Sequence, residues 1–224
     1  AIASCSLAGP DAPIALTSDT EGQVGPCQEC PATQDLGGLP RRASLLSRLR
    51  KEDPSLLLID AGNFLIGPES VASGGRVMVA AYNALGYDAV NLSYRDFRLG
   101  KEVTLGALRE ARFAVLSSNL LDAETSEPLA RPYIVLGPEG GKTALLGVCE
   151  PPAGLDRLPH LKAQLSGIRM APPAEAISRW LPEARAGASR VVLIYYGTVR
   201  GLQEVQERFG SEFAAIFLGG VRPE

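Results

Sequence analysis

A layered α/β domain built on mixed sheets is the fold class this sequence predicts, and three observations predict it. From Ala12 onward, short aliphatic runs alternate with amphipathic stretches, the pattern of strands covered by helices. Pro54 and Gly86 punctuate the first of these units where a helix must stop. A later pair of runs, at 133–136 and 143–148, flanks Gly137-Pro138-Glu139-Gly140-Gly141, a turn composition that joins antiparallel neighbours rather than a crossover. At 224 residues the chain is long enough for one large core, and it shows no interdomain linker, internal repeat or low-complexity tract.

Taken in order, the first strand is expected over 14–18. A loop rich in Gly, Pro and Cys leads to a helix over about 39–51. There Ala43, Leu46 and Leu49 share one face, Arg41, Arg42, Arg48 and Arg50 lie mostly on the others, and Pro54 closes it. Residues 55–60 read as a buried strand. A helix over 77–85 carries Met78, Ala81, Tyr82 and Leu85 on one stripe, and Gly86 ends it before a strand over 89–92. The unit repeats in a helix over 105–112 and a strand over 114–118. After the hairpin come a helix over 174–186, a strand over 191–195, a helix over 202–209 and a strand over 214–218.

Composition narrows the function classes. With 21% charged residues and a formal net charge of −3, the chain carries no electrostatic footprint for nucleic acid. Runs such as Leu56-Leu57-Leu58-Ile59 are broken within a few residues by Asp60 and Gly62, far short of the ~20 apolar residues of a spanning helix. Four cysteines, Cys5, Cys27, Cys30 and Cys149, are too few for a disulfide scaffold in a chain of this length. Ile2-Ala3-Ser4-Cys5 resembles a bacterial lipoprotein cleavage box, in which Cys5 is the lipidated residue and the stretch up to residue 12 a tether; the alternative is a chance small-residue tetrapeptide. The domain proper is expected over 13–224.

In open α/β sheets ligands sit beyond the carboxyl ends of strands. The informative residues are therefore Asp19 and Glu21, Gly62 and Asn63, Tyr94 and Arg95, Tyr196 and Gly197, and Gly219 and Gly220. Three segments carry a resemblance: Gly37-Gly38-Leu39-Pro40-Arg41-Arg42-Ala43, Leu56-Leu57-Leu58-Ile59-Asp60-Ala61-Gly62 and Asn83-Ala84-Leu85-Gly86-Tyr87-Asp88-Ala89. At matching spacing they look like the glycine-led arginine helix, the strand into a metal loop and the helix exit of 5′-nucleotidase-like, calcineurin-like metallophosphoesterases. Val115-Leu116-Ser117-Ser118-Asn119 is similar to the family's next strand. The resemblance runs from about residue 14 to residue 220 and implies an α/β/β/α layering. It also implies that relatives continue past the glycine pair Gly219-Gly220 into further strands and a second domain.

The family's chemistry is two-metal hydrolysis of phosphate esters, in which two divalent ions roughly 3.5–4 Å apart generate a hydroxide and clamp the phosphoryl oxygens. Measured against its motifs, this chain departs at nearly every ligand. Asp-x-His reads Asp19-Thr20-Glu21, and the bridging Asp after glycine is Asn63. Gly-Asn-His-Glu reads Ser93-Tyr94-Arg95-Asp96, with Tyr94 where a metal-binding amide would be and Arg95 where the phosphate-facing acid would be. The His before glycine is Tyr196, and Gly-Gly-His-x-His reads Gly219-Gly220-Val221-Arg222-Pro223. A pair of dications needs several anionic or imidazole donors, whereas Asn63 is neutral and Arg95 cationic. No metal and no cofactor are therefore expected, and Asp19, Glu21, Asn63, Tyr94, Arg95, Asp96 and Tyr196 form a vestigial pocket. Arg95 is expected to pair with Asp19 or Glu21, with anion anchoring as its alternative role. The lone histidine, His160, reads as a surface residue away from every motif position.

Cys27 and Cys30, in Pro26-Cys27-Gln28-Glu29-Cys30-Pro31, lack the His of a haem-attachment motif and read as a local disulfide or two loop thiols at the rim of the old site. Some exported relatives carry cysteines in this loop, which supports a family feature. Cys149 reads as a buried core thiol. The resulting expectation is a non-catalytic domain, exported to the periplasm or cell surface, serving as a structural or binding subunit. The resemblance suggests an envelope assembly with multihaem cytochromes as the partner. Two alternatives stay open: a divergent hydrolase using Asp19, Glu21, Asn63 and Asp96 with one metal, and a thiol-disulfide protein working through Cys27 and Cys30.

Overall fold

A computed structural model of the chain describes residues 2–5, 12–26, 37–138 and 141–220. The first sheet has the order β1-β2-β3-β4-β5, made of β1 (Ile2–Cys5), β2 (Ile14–Thr17), β3 (Leu57–Asp60), β4 (Ala89–Asn91) and β5 (Ala114–Leu116). Strands β2 to β5 run parallel, joined by crossovers through α1 (Leu39–Glu52), α2 (Arg76–Leu85) and α3 (Lys101–Leu108). Strand β1 was not expected. It lies inside the segment read as a tether and pairs antiparallel to β2, Cys5 opposite Ile14. A short antiparallel ribbon, β6 (Leu120–Asp122) with β9 (Ile168–Met170), was also not expected; three residues are too few to show a period.

The second sheet has the order β11-β10-β8-β7. Strands β8 (Thr143–Cys149), β10 (Arg190–Tyr196) and β11 (Ala215–Gly219) are parallel, and β7 (Tyr133–Leu136) is the antiparallel hairpin partner of β8. Helices α4 (Pro159–Gln164), α5 (Pro173–Ala186) and α6 (Val199–Phe209) complete the chain.

The side-chain alternation of the strands sorts these elements into four layers. Leu57 and Ile59 of β3 meet Leu145, Val192 and Ile194 of the second sheet in a core between the two sheets. Leu58, one residue out of phase, faces Leu46, Met78, Val79 and Tyr82 of α1 and α2. On the far side, Leu146, Val191 and Leu193 pack against Ile177, Leu181 and Val205 of α5 and α6. Burial on both faces is why these strands read as unbroken aliphatic runs, and it gives the layering α/β/β/α.

Helix ends are set by local chemistry. Pro40 sits in the first turn of α1, where a missing N–H costs nothing. Gly86 takes the left-handed conformation (φ 70°) that ends α2. The Arg50 guanidinium bonds the Leu85 and Gly86 carbonyls at 2.6 and 2.5 Å, fixing that corner to α1.

Candidate functional site

The loops leaving β2 and β3 are zipped together by backbone hydrogen bonds. Asp19 N–H donates to the Gly62 carbonyl (3.0 Å), Glu21 N–H to that of Asn63 (2.8 Å) and Gly22 N–H to that of Phe64 (3.0 Å). Asp19, Glu21 and Asn63 all have positive φ, at 53°, 53° and 59°. Side chains other than glycine adopt this conformation at a cost, and such residues persist where the surroundings hold them, commonly in functional loops.

Between these loops the half-buried Asp19 carboxylate accepts four hydrogen bonds. Asn63 Nδ2 (2.8 Å) and the Tyr196 hydroxyl (2.9 Å) reach Oδ1, while Ser18 Oγ (2.6 Å) and Gly220 N–H (3.0 Å) reach Oδ2. The same Asn63 amide donates to Glu21 Oε1 at 3.1 Å. Asn63 and Tyr196 are each only 2% exposed, so this network closes off its own interior. Burial, and then the Asp19 charge, push the Tyr196 phenol far above its ordinary range. The end of β11 comes close enough to supply Gly220 because residue 219 is glycine: a Cβ there would lie 2.6 Å from Ser18 Oγ and 2.7 Å from Ala61 Cβ.

Tyr94 and Arg95 stand in a 3₁₀ turn, Tyr94–Phe97, fixed by a reciprocal capping box between Ser93 and Asp96. Tyr94 meets Tyr196 edge-on (centroids 6.3 Å apart, planes at 79°), and the Arg95 guanidinium lies 5.3 Å from the centre of the Tyr94 ring. Burial works against the Arg95 charge, but Tyr94, Tyr196 and Glu21 outweigh it and raise its pKa. Glu21 is the acid among these groups, with a smaller effect than the two tyrosines.

Asp96, placed by sequence in the pocket, does not face it. It is fully buried, and its carboxylate accepts from the N–H groups of Asn63 (2.9 Å), Phe64 (2.9 Å), Leu65 (3.1 Å) and Ser93 (2.9 Å) and from Ser93 Oγ (2.8 Å). It shapes the β3 loop from behind. Burial nevertheless raises its pKa against these donors.

A second buried network lies beneath the loops and was missed by the sequence reading. Asp60 accepts from Thr17 Oγ1, the Tyr82 hydroxyl (3.0 Å) and Gly62 N–H (2.8 Å). Arg42 was read as lying mostly on a helix face away from the core, yet it reaches inward to the hydroxyls of Tyr87 (2.9 Å), Tyr82 (3.2 Å) and Thr20 (3.0 Å). Tyr82 and Tyr87 stack at 4.0 Å. Burial pushes the Asp60 carboxyl up to about 7, with Thr17, Gly62, Arg42 and Tyr82 pulling the other way.

His160 is exposed, as expected, but it is not remote. It stands on α4 in the wall of a cavity shared with Tyr94, Arg95 and Tyr196. Cys149 is a buried free thiol that accepts the Tyr94 N–H at 3.3 Å, and burial raises its pKa. Cys27 and Cys30 lie outside the described residues, so their pairing is not described.

Two face-to-face mixed sheets, with loops from β2, β3, β4, β10 and β11 meeting at one end, define a calcineurin-like metallophosphoesterase fold. No protein-family model matches the chain. A 2′,3′-cyclic-nucleotide 2′-phosphodiesterase/3′-nucleotidase of Salmonella typhimurium is 28% identical over 176 residues, 70% of this chain and 27% of that relative's length. Among solved structures, sulfate thiohydrolase SoxB of Thermus thermophilus superposes with a TM-score of 0.81 at 18% identity, covering 96% of this chain and 49% of the SoxB chain. The calcineurin-like phosphoesterase YfkN of Bacillus subtilis gives 0.72 at 20% identity, covering 94% of this chain and 73% of that one. The chain is a homologue of the 5′-nucleotidases and calcineurin-like phosphoesterases, with the fold of a 5′-nucleotidase-like N-terminal domain.

Proposed function

We propose that this domain keeps the metallophosphoesterase scaffold without its hydrolytic chemistry and serves as a structural or binding subunit of an exported assembly. The observation that carries this reading is the Asp19 carboxylate, whose two oxygens are occupied by Asn63, Tyr196, Ser18 and Gly220. Among the described residues no three His, Cys, Asp or Glu side chains are grouped so as to hold a metal ion. Asn63 turns its NH₂ toward the two acids, and Arg95 adds a fixed positive charge beside them. Such donors do not fit a pair of dications, which need anionic or imidazole ligands to offset dehydration and mutual repulsion. The one-metal alternative loses Asp96, which is spent on backbone N–H groups.

Metal content of protein purified without chelator, measured beside phosphate release from 2′,3′-cyclic AMP and AMP with added Mn²⁺, tests the proposal. Near-zero metal and no release are expected. About one or more ions per chain, with metal-dependent turnover, would replace this reading by that of a hydrolase.

Export and a protein partner in the cell envelope, with multihaem cytochromes as one class to probe, belong to the same proposal. No helix among the described residues is long and apolar enough to cross a membrane. Lipid attachment at Cys5 competes with the fold, because cleavage before Cys5 would remove three of the four residues of β1. Intact mass of the protein isolated from its native envelope separates the two.

A further inference from the structure

We propose that the cavity beside the Asp19 network is a metal-independent binding site for a small organic oxyanion, a phosphate monoester or sulfonate carried on a compact apolar body. The cavity has a volume of about 550 Å³, within the ~300–1,000 Å³ of small-molecule sites. Two arginines, Arg95 and Arg98, are among its lining residues. Arg95 is set against the Tyr94 ring, and Arg98 is anchored by one Nη to the Ile66 carbonyl at 3.2 Å, so neither has to be ordered by the ligand. Planar guanidinium forks match the geometry of phosphate and sulfonate oxygens.

The acid on this wall, Glu150, is already committed. Its carboxylate accepts from Thr198 N–H (2.6 Å) and Thr198 Oγ1 (2.9 and 3.2 Å) at the start of α6, where the helix N-terminus offsets its charge. The rest of the lining is suited to the organic part, since it includes Pro151, Pro152, Leu161 and Tyr94. The inference rests on the metal-free reading above, since bound dications next to Arg95 would compete with the guanidinium for the same anion.

Calorimetric titration of the full chain in EDTA, with phenyl phosphate, inorganic phosphate and phenol as probes, tests the site. Saturable one-to-one binding of phenyl phosphate is expected, with weaker binding of inorganic phosphate and none of phenol. Arg95→Ala and Arg98→Ala should each weaken binding by about tenfold or more, the loss of a charge-assisted hydrogen-bonding partner. Gln164→Trp fills the cavity from α4 while leaving both arginines in place, and it should block binding with an unchanged melting temperature. Failure of phenyl phosphate to bind at millimolar concentration with and without Mn²⁺, or equal binding by all three variants, overturns the site and leaves the non-hydrolytic reading standing. Binding that appears only with Mn²⁺ overturns both.

Discussion

Two sets of carboxylates lie at the same end of the first sheet and are held in opposite ways. Asp60 and Asp96 are fully buried and bonded by the framework: backbone N–H groups of the β3 loop, Thr17 and Tyr82. Asp19 and Glu21 are half-buried at the mouth, where Asn63 and Tyr196, rather than the framework, supply much of the bonding. The inner set builds the loops, and the outer set occupies whatever space the loops enclose. On this division the β3 loop should keep its shape when side chains at the mouth change, because its N–H groups are bonded by Asp60 and Asp96 rather than by the mouth.

The strongest challenge to that division is Asp96→Ala, which strips the acceptor from four backbone N–H groups at once. A loss of roughly 3–5 kcal/mol in urea unfolding is expected, as for removal of one partner from a buried charged network. A loss under about 1 kcal/mol would show that the loops are held by something other than the inner carboxylates.

Asp60 gives the next largest effect, and it depends on pH. Its folded pKa is raised by burial to about 7, above an unfolded value of ~3.9. The folded protein therefore holds this proton more tightly than the unfolded chain. The stability tied to Asp60 is fully present below about pH 4 and is lost as pH rises through about 7, a fall on the order of a few kcal/mol. Asp88 and Asp96 are also raised by burial and add to the same slope in any variant that keeps them. Asp60→Asn should flatten the wild-type slope between pH 4 and pH 7 without abolishing it. Identical slopes for the two proteins would show that Arg42 and the tyrosines keep Asp60 ionised throughout.

Legibility in the sequence followed the same division. The layered class, α1, α2 and the central strands were readable because their apolar residues repeat with the period of a helix or run unbroken through a strand. Arg42 was not, since a periodicity argument counts apolar positions and is blind to an arginine whose stem carries its charge inward. A signal for the Asp60 network did exist. An acid closing the run Leu57-Leu58-Ile59, with Tyr82 on the apolar stripe of α2, needed a buried partner. Nothing local in the sequence could bring His160 to the wall beside Tyr94, because that approach is set by how the β8–β9 connection folds back over the sheet ends. Asp96 was misplaced because alignment to a ligand motif says which loop a residue occupies but not which way its carboxylate turns.

Placing an acid at the mouth sharpens the comparison at smaller amplitude. Asn63→Asp removes the two amide N–H bonds to Asp19 and Glu21 and sets three carboxylates together. A loss of about 1–2 kcal/mol without metal is expected, partly recovered by millimolar Mn²⁺, whereas the wild-type melting temperature should not respond to Mn²⁺ or to EDTA. An equal Mn²⁺ response in both proteins would mean that the wild-type mouth already binds the ion.

Tyr196→Phe is the smallest change and the most specific to the outer set. It deletes one of the four hydrogen bonds to Asp19 and leaves Asn63, Ser18 and Gly220 in place. The ring, 2% exposed and packed edge-on to Tyr94, stays. With the carboxylate still bonded by three donors, the expected cost is the net worth of one hydrogen bond, about 0.5–1.5 kcal/mol. The double variant Asn63→Ala/Tyr196→Phe then decides whether the outer set acts as a unit. Additive losses would mean that each donor serves Asp19 independently, while a cost well beyond the sum would show that the second donor holds the carboxylate once the first is gone. In that case the mouth would be one cooperative hydrogen-bonded unit rather than a collection of independent side chains.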